Sequence, residues 1–409
     1  MNNNDNNIKM KTPNHRSSDI AYALGLYEIL GRTLGIWPLD CHNISSIIRI
    51  TFVTVTQLSM SISLIKQLLV EGNCGEITDV VDVLSLIACG VVTVVKVIIP
   101  RIYYNKMYVI VSTAINDWKT VNNEKARRTM LRYAYIGRVV FIVQIIGAYA
   151  AGFQLIVSRL PFIMNWNNDR NYSTPMYTVP IGPSCWISSE ISSFHYTAYY
   201  TFQCIQLFVV CTAYIGADTY FFGIAMHVCG QFELLSNSLT NIYSDGQISN
   251  QKQNFSKFVE RHKHLLCLAN NFEETYNLII LSQVGIDALL ICISGIVLLM
   301  TLHTEDLFII IGLIIRIYLV YVQLFLYSYV GEQLRTQANK MQLTIYNCPW
   351  YKMSPRITKD MVFTIMRTNY SFNLTAGKMY CMNMENFKNI IKTMGSFFSV
   401  LRLMFIEKQ

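Results

Sequence analysis

Charged residues are scarce in this chain. Asp, Glu, Lys and Arg together make up 14% of its 409 residues, whereas 52% are hydrophobic. About a quarter of the residues in an average soluble domain are charged, and the mean hydropathy of +0.32 agrees with the apolar excess. The composition therefore excludes an ordinary soluble protein and indicates several membrane spans.

Motifs of catalysis and metal binding are missing as well. The seven histidines do not stand beside a nucleophile in any recognisable spacing, and the chain has neither a phosphate loop nor a zinc-protease signature. The eleven cysteines are scattered without the spacing of metal ligands. We therefore expect no enzyme activity, no bound metal and no cofactor.

Long apolar stretches are what the chain has instead. Seven of them approach the roughly twenty residues that cross a bilayer: Ile44–Val70, Asp79–Tyr103, Tyr133–Ser158, Ile191–Met226, Asn277–Met300, Leu307–Val330 and Tyr380–Met404. The fourth, fifth and sixth are expected to continue as helix beyond the membrane. The predicted fold is an all-α polytopic membrane protein with seven transmembrane helices.

The distribution of positive charge predicts the orientation. The start of the chain is polar and Asn-rich and lacks the apolar core of a signal peptide, so we expect a cytosolic N-terminus. Lys and Arg then crowd the three inner loops, whereas the outer segments hold only Arg159, Arg170 and Lys408. This asymmetry follows the positive-inside rule. It accounts for the net charge of +8 without a nucleic acid partner, and it places the C-terminus outside, the reverse of a G-protein-coupled receptor.

Two features of the outer segments carry chemistry. Cys74 and Cys185 are the cysteines that lie clearly outside, where a disulfide bond between them is chemically permitted. Asn171 begins an Asn-Tyr-Ser glycosylation sequon in the long loop between the third and fourth spans.

Charged residues inside the predicted spans are costly in lipid and need partners. Lys96, Arg138 and Asp218 fall toward the cytosolic ends of their spans, where snorkelling or pairing would satisfy them. Asp287 and Arg316 lie on spans joined by a short outer turn, so we predict that they pair with each other.

The last span has two different faces. Apolar residues recur at steps of three and four along one face: Tyr380, Met384, Phe387, Ile391, Met394, Phe398, Leu401 and Phe405. The other face carries polar residues that give way to apolar ones: Glu385, Asn389, Thr393, Ser396, Val400 and Leu403. A polar stripe at membrane depth needs water or protein beside it. The pattern fits a pore wall with a hydrophobic gate, and it fits equally an amphipathic helix packed against its own bundle.

A ligand pocket is predicted in the outer halves of the bundle. The third span offers a polar amide and small residues, and the fourth and sixth offer aromatic ones. The candidate ligand-binding residues are Gln144, Gly147, Ala151, Phe194, Tyr199, Phe202, Tyr318 and Tyr321. The alternative for each of them is ordinary helix packing.

The chain resembles the insect odorant receptors over nearly its whole length. The most specific stretch is the C-terminal third, with its GEQLRTQ, NCPWY, TNYSFNLTAGKMY and FKNIIKTMGSFFSVLR segments in this order. The resemblance implies a ligand-gated, non-selective cation channel, in which four subunits surround one pore lined by the last span. It also implies a plasma-membrane location in sensory neuron dendrites and a gate at Val400, with Leu403 or Met404 beside it.

The second cytosolic loop is short and Arg402 and Glu407 interrupt the end of the chain, which favours an odorant-tuned subunit that needs the co-receptor. The expected partners are the co-receptor, a small volatile ligand and membrane lipid. A gustatory receptor and a metabotropic seven-helix receptor are the alternatives. The expected organisation is a cytosolic N-terminal segment (1–43), transmembrane helices one to six with an outer-leaflet ligand pocket (44–330), a cytosolic assembly segment (331–378), and the pore-lining seventh helix with an extracellular C-terminus (379–409).

Overall fold

The fold is a bundle of helices with one short hairpin. The computed structural model describes residues 13–72, 77–158, 179–183, 186–187, 192–242, 248–301, 307–368 and 372–406. The helices in this part of the chain are α1 Pro13–Leu34, α2 Ile44–Val70, α3 Ile77–Ile102, α4 Tyr104–Thr120, α5 Glu124–Ser158, α6 Ser193–Ile242, α7 Ile248–Thr301, α8 Leu307–Tyr346, α9 Pro355–Thr368 and α10 Met384–Ile406. Strands β1 Thr375–Ala376 and β2 Tyr380–Cys381 form an antiparallel pair.

Six of the described helices are long and apolar enough to cross a membrane, namely α2, α3, α5, α6, α7 and α8. They coincide with the first six predicted spans, which confirms a polytopic all-α membrane protein. Helix α10, whose last residues have side chains outside the described part of the chain, is not among the six. A seventh span therefore stays a prediction, as does the orientation of the bundle.

Three helices extend well past the thickness of a bilayer. At 1.5 Å per residue, the 50, 54 and 40 residues of α6, α7 and α8 correspond to roughly 75, 80 and 60 Å, against about 30 Å for the hydrocarbon core. The expected continuation of the fourth, fifth and sixth spans is confirmed. Residues 230–242 of α6 and 248–270 of α7 lie in these extensions. We call the end of the bundle that holds them the long end. Helix α9 packs there against α7 and α8.

Aromatic rings fill the centre of the bundle. Phe221 of α6 stacks on Phe272 with ring centroids 5.0 Å apart, and Tyr276 and Tyr327 close the cluster at 4.8 and 4.9 Å from Phe221. All four side chains are at most 3% exposed. Aromatic pairs at these separations add about 0.5–1.5 kcal/mol each beyond the burial of their area, so α6, α7 and α8 form one packed unit.

Helix α1 contributes to the core, although its residues lie in the part of the chain (1–43) that is predicted to be a cytosolic N-terminal segment. Its Tyr27 and Leu30 are buried, and Tyr27 lies so close to Gly223 of α6 that a Cβ there would be 2.2 Å from the ring. The signal was available in the chain, because apolar residues recur at helical spacing before Trp37: Ile20, Ala23, Leu24, Tyr27, Leu30 and Leu34.

The predicted last span begins too early. Tyr380 belongs to β2, and α10 starts at Met384. The turn between β1 and β2 places Gly377 and Lys378 at φ 58°, a left-handed conformation that ends any helix or strand. The expected helix therefore loses its first four residues to the hairpin.

Candidate functional site: the last helix and the polar cluster behind it

Helix α10 is anchored through one face. The ring of Phe387 packs edge-on against Phe325 of α8, with centroids 5.7 Å apart. Farther along, Phe398 lies over Gly295 of α7, where a Cβ would be 2.1 Å from the phenyl ring. Two residues of the predicted apolar face, Phe387 and Phe398, therefore contact the bundle, whereas Ile391 of the same face is exposed. Helix α10 runs beside α7 in the same direction.

The opposite face of α10 is left open by the chain itself. The exposed residues on and beside this face include Glu385, Asn389, Thr393, Ser396 and Val400, together with Lys388, Lys392 and Ser399; Val400 is 53% exposed. The side chains of Leu403 and Met404 lie outside the described residues, although the helix continues to Ile406. The apolar face of α10 packs against its own bundle and the five described members of the stripe are exposed, an arrangement that a pore wall and an amphipathic helix packed on its own bundle both predict.

The start of α10 is held by hydrogen bonds and a close backbone contact. The side-chain oxygen of Asn383 accepts a hydrogen bond of 2.7 Å from the backbone N–H of Asn386, the geometry of an N-cap. Glu332 of α8 accepts one of 3.3 Å from the backbone N–H of Met384. Gly331 of α8 faces the carbonyl oxygen of Met382 so closely that a Cβ would be 2.0 Å from it. Two residues of the GEQLRTQ segment thus fix where the last helix begins.

The hairpin ties the same point to α7. The backbone N–H of Gly377 donates to the carbonyl of Asn277 at 2.9 Å, and the Thr375 hydroxyl donates to the Glu273 carboxylate. Leu281 of α7 lies against Gly377 as well. The TNYSFNLTAGKMY segment therefore links the start of α10 to the middle of α7.

A buried ion pair lies behind α10 at the centre of the bundle. The ammonium of Lys96 on α3 donates to Asp218 of α6 at 2.7 Å, and these residues are 1% and 6% exposed. Asp218 also accepts hydrogen bonds from Gln323 and Tyr327 of α8. The Lys96 nitrogen lies 3.6 Å from the centre of the Tyr214 ring. Lys96 and Asp218 are thus satisfied by pairing, one of the two outcomes that the sequence left open.

The predicted pair between Asp287 and Arg316 is wrong. Arg316 forms its ion pair with Asp82 of α3. Asp287 accepts a hydrogen bond of 2.7 Å from Gln283, one turn earlier on its own helix. Arg138 donates to the backbone carbonyl of Tyr22 and stacks on its ring, so α1 satisfies it.

Comparison with known proteins identifies the family. The profile of the 7tm odorant receptor family matches residues 76–395. The chain belongs to this family. Its members are odorant-gated ion channels and not enzymes, so the expectation of no enzyme activity is confirmed.

The individual relatives match at low identity. The chain is 25% identical over 196 residues to Odorant receptor 47a of Drosophila melanogaster, covering 46% of this chain and 49% of the relative. It is 24% identical over 238 residues to Odorant receptor 13a of the same species, covering 54% and 56%. The odorant receptor coreceptor of Aedes aegypti matches over 147 residues at 25%, covering 35% and 30%. The chain thus spans about half the length of the curated odorant receptors that it resembles.

The fold also matches a solved structure. The insect olfactory receptor OR5 from Machilis hrabei superimposes with a TM-score of 0.71 at 10% identity, covering 95% of this chain and 98% of that one. Its complex with eugenol gives a TM-score of 0.68 at 12% identity over the same shares. At this identity the likeness shows the odorant receptor fold.

The predicted ligand-binding residues of this odorant receptor are placed in different surroundings. Gln144 lines a small cavity of about 10 Å³ beside Asp218 and Gln323, and its side-chain oxygen is buried without a hydrogen-bond partner. Gly147 leaves an open gap, with no atom within 4 Å of a Cβ built there. Tyr199 accepts a hydrogen bond of 2.9 Å from Gln67 of α2.

The remaining candidates do not converge with these. Phe194, Phe202 and Tyr318 are 77%, 48% and 64% exposed on the surface of the single chain. Ala151 and Tyr321 are half-buried. Within the described residues, the eight are not gathered around one cavity, and they stay a prediction.

The proposed modifications fall outside the described residues: Cys74, Cys185 and Asn171 all lie in the omitted segments. Among the residues that the structure does describe, nine cysteines are free and no cluster suited to a metal ion occurs.

Proposed function

We propose that this odorant receptor is the odorant-tuned subunit of a heteromeric, ligand-gated, non-selective cation channel. The observation that supports it most is the open face of α10. Four polar side chains and Val400 point away from the chain that carries them, at a depth where lipid offers no hydrogen bonds. Water in a pore shared by several subunits would satisfy the polar residues, and a ring of Val400 side chains would close that pore by excluding water.

The proposed topology follows from the charge distribution. The N-terminus and the long end face the cytosol, α10 forms the seventh span, and the C-terminus lies outside, in the plasma membrane. The long end carries the predicted assembly segment, and α9 presents Phe363 and Met366 there, 73% and 69% exposed. An apolar face outside the membrane needs a protein partner. We assign that role to the co-receptor, in a tetramer. The segment Phe255–Phe272 is proposed as a second part of the contact surface between the subunits.

The proposed ligand is a small volatile molecule bound among α3, α5, α6 and α8. Gln144 would orient it, and the gap beside Gly147 would receive its apolar part. A ligand that binds the open arrangement more tightly than the closed one shifts the population toward the open pore. The coupling route would run through α7 and α8, which both contact α10.

The test is the whole-cell current of cells that express this chain with and without an insect co-receptor, while G-protein signalling is blocked. We expect a fast cation current, evoked by members of a volatile panel, in the presence of the co-receptor. A response abolished by the G-protein block would favour the metabotropic alternative. A response to sugars and not to volatiles would favour the gustatory one.

The gate is tested in the same cells with Val400→Ser. A hydroxyl in the narrowest ring would hold water, so we expect current in the absence of ligand. The matched control is Val91→Ser on α3, a valine that is 43% exposed. Equal basal currents in the two variants would remove Val400 from the gate.

A further inference from the structure

The polar cluster behind α10 contains two acids and one base. Three residues that are ordinarily charged lie there, and all are buried: Lys96, Asp218 and Asp287, exposed to 1%, 6% and 1%. The charges of Lys96 and Asp218 cancel in the ion pair. Arg316, the predicted partner of Asp287, is paired with Asp82. Among the described residues, Asp287 is thus left without an ion pair of its own.

The hydrogen bonds of the two acids differ in the same way. Asp218 receives donors from Lys96, Gln323 and Tyr327. Asp287 receives one donor, the amide of Gln283 at 2.7 Å on Oδ1. Its second oxygen, Oδ2, is buried without a partner, and so is the side-chain oxygen of Gln283, a residue that is fully enclosed. An ionised carboxylate with one hydrogen bond and no paired cation is strongly destabilising in such a place.

We propose that Asp287 is a proton-binding site and that it holds one proton in the folded receptor. The proton removes the charge of Asp287. It also turns one of the two unpartnered oxygens into a hydrogen-bond donor, since a protonated carboxyl carries an O–H. With Asp287 neutral, the cluster has one positive and one negative charge and is balanced.

The groups that face Asp287 favour a proton over a metal cation. Cys89 and Lys96 come from α3, Tyr214 and Asp218 from α6, and Tyr327 from α8. The ammonium of Lys96 would repel a metal ion. The unpartnered oxygens of Asp287 and Gln283 offer only two ligands, fewer than an alkali or alkaline-earth ion requires. A proton needs a single oxygen.

The position gives the proton a structural consequence. Asp287 lies on α7 between Leu281, which contacts the hairpin, and Gly295, which contacts Phe398 of α10. Helix α7 supports α10 on both sides of Asp287. A change of charge at Asp287 therefore acts on the part of α7 that lies between the two contacts.

The first test is the infrared spectrum of the full-length receptor in lipid nanodiscs at pH 6.5, where exposed carboxyls are already ionised. We expect the carbonyl band of a protonated carboxylic acid, shifted in heavy water, and its loss in Asp287→Asn. The control is Asp82→Asn, which removes another acid and should leave the band intact. A wild-type spectrum without the band would overturn the proposal, whether or not any variant folds.

The second test is thermal unfolding of the same samples between pH 6 and pH 9. If the folded state holds a proton that the unfolded chain has released, unfolding releases a proton. Stability then falls as the pH rises. We expect a smaller slope in Asp287→Asn with its midpoint near the wild-type value. A midpoint that rises with sodium in the wild type, but not in Asp287→Asn, would replace the proton with a metal cation and overturn the proposal.

Discussion

Helices α6 and α10 both carry rows of polar side chains, and the surroundings of those side chains are opposite. On α6, Asp218 is buried and receives hydrogen bonds from α3 and α8, and Gln203 is buried against the backbone of Ile181. On α10, the polar stripe is exposed, and the hydroxyl of Thr393 donates a hydrogen bond to the carbonyl of Asn389 on its own helix. The first helix satisfies its polar groups inside one chain, whereas the second leaves them for water or another subunit.

In the channel proposed above, this difference separates polar residues that stabilise the fold from polar residues that line the pore. A polar group that finds its partners within the chain contributes to the stability of the fold, and its loss leaves a buried group unpaired. A polar group that is exposed on the single chain adds little to its stability. The substitution of such a group on α10 is expected to change conduction instead.

The largest expected effect is the loss of the buried ion pair through Asp218→Asn. This change leaves the Lys96 ammonium without its partner at 2.7 Å, and breaking a buried pair typically costs about 3–5 kcal/mol. We expect little receptor at the cell surface, measured by surface labelling.

The matched control is Glu385→Gln, the same acid-to-amide change on the open face of α10. We expect normal surface levels there. If both variants reached the surface equally, the contrast between the two helices would be wrong.

The sequence predicted the parts of this contrast that depend on one helix. The two faces of α10 follow from side chains at steps of three and four, and the extension of α6–α8 follows from continuous helical patterns. The partners of charged residues could not be predicted in this way. Lys96 and Asp218 are 122 positions apart, and Asp287 was assigned to Arg316 on chain connectivity, whereas packing brings Asp82 there. Tertiary contacts between distant helices determine which charged residues pair. The spacing of residues within one helix does not contain this information.

A smaller effect is expected where α10 is attached to α8. Gly331→Ala places a Cβ 2.0 Å from the carbonyl oxygen of Met382, and the strain of overpacking costs about 1–3 kcal/mol. We expect a lower unfolding temperature and altered evoked currents, because the start of α10 must move.

The control for this change lies on the same helix. Gly312 has no atom within 4 Å of a Cβ, and Ala in a helix is favoured over Gly by about 0.5–1 kcal/mol. Gly312→Ala should therefore raise the unfolding temperature slightly. Equal shifts in both variants would show that the close contact at Gly331 does not position α10.

The smallest effect on stability is expected from Thr393→Val. This substitution is also the sharpest test of the open face. The substitution keeps the shape of the side chain and removes a hydroxyl from the proposed pore wall. Exposed substitutions of this kind change stability by no more than about 0.5 kcal/mol, so surface levels should not change, whereas the single-channel conductance should fall. Thr197→Val on α6 is the control, since Thr197 is also exposed and makes the same hydrogen bond to the carbonyl four residues earlier. A conductance that is equal in both variants would mean that permeating ions do not pass the open face of α10.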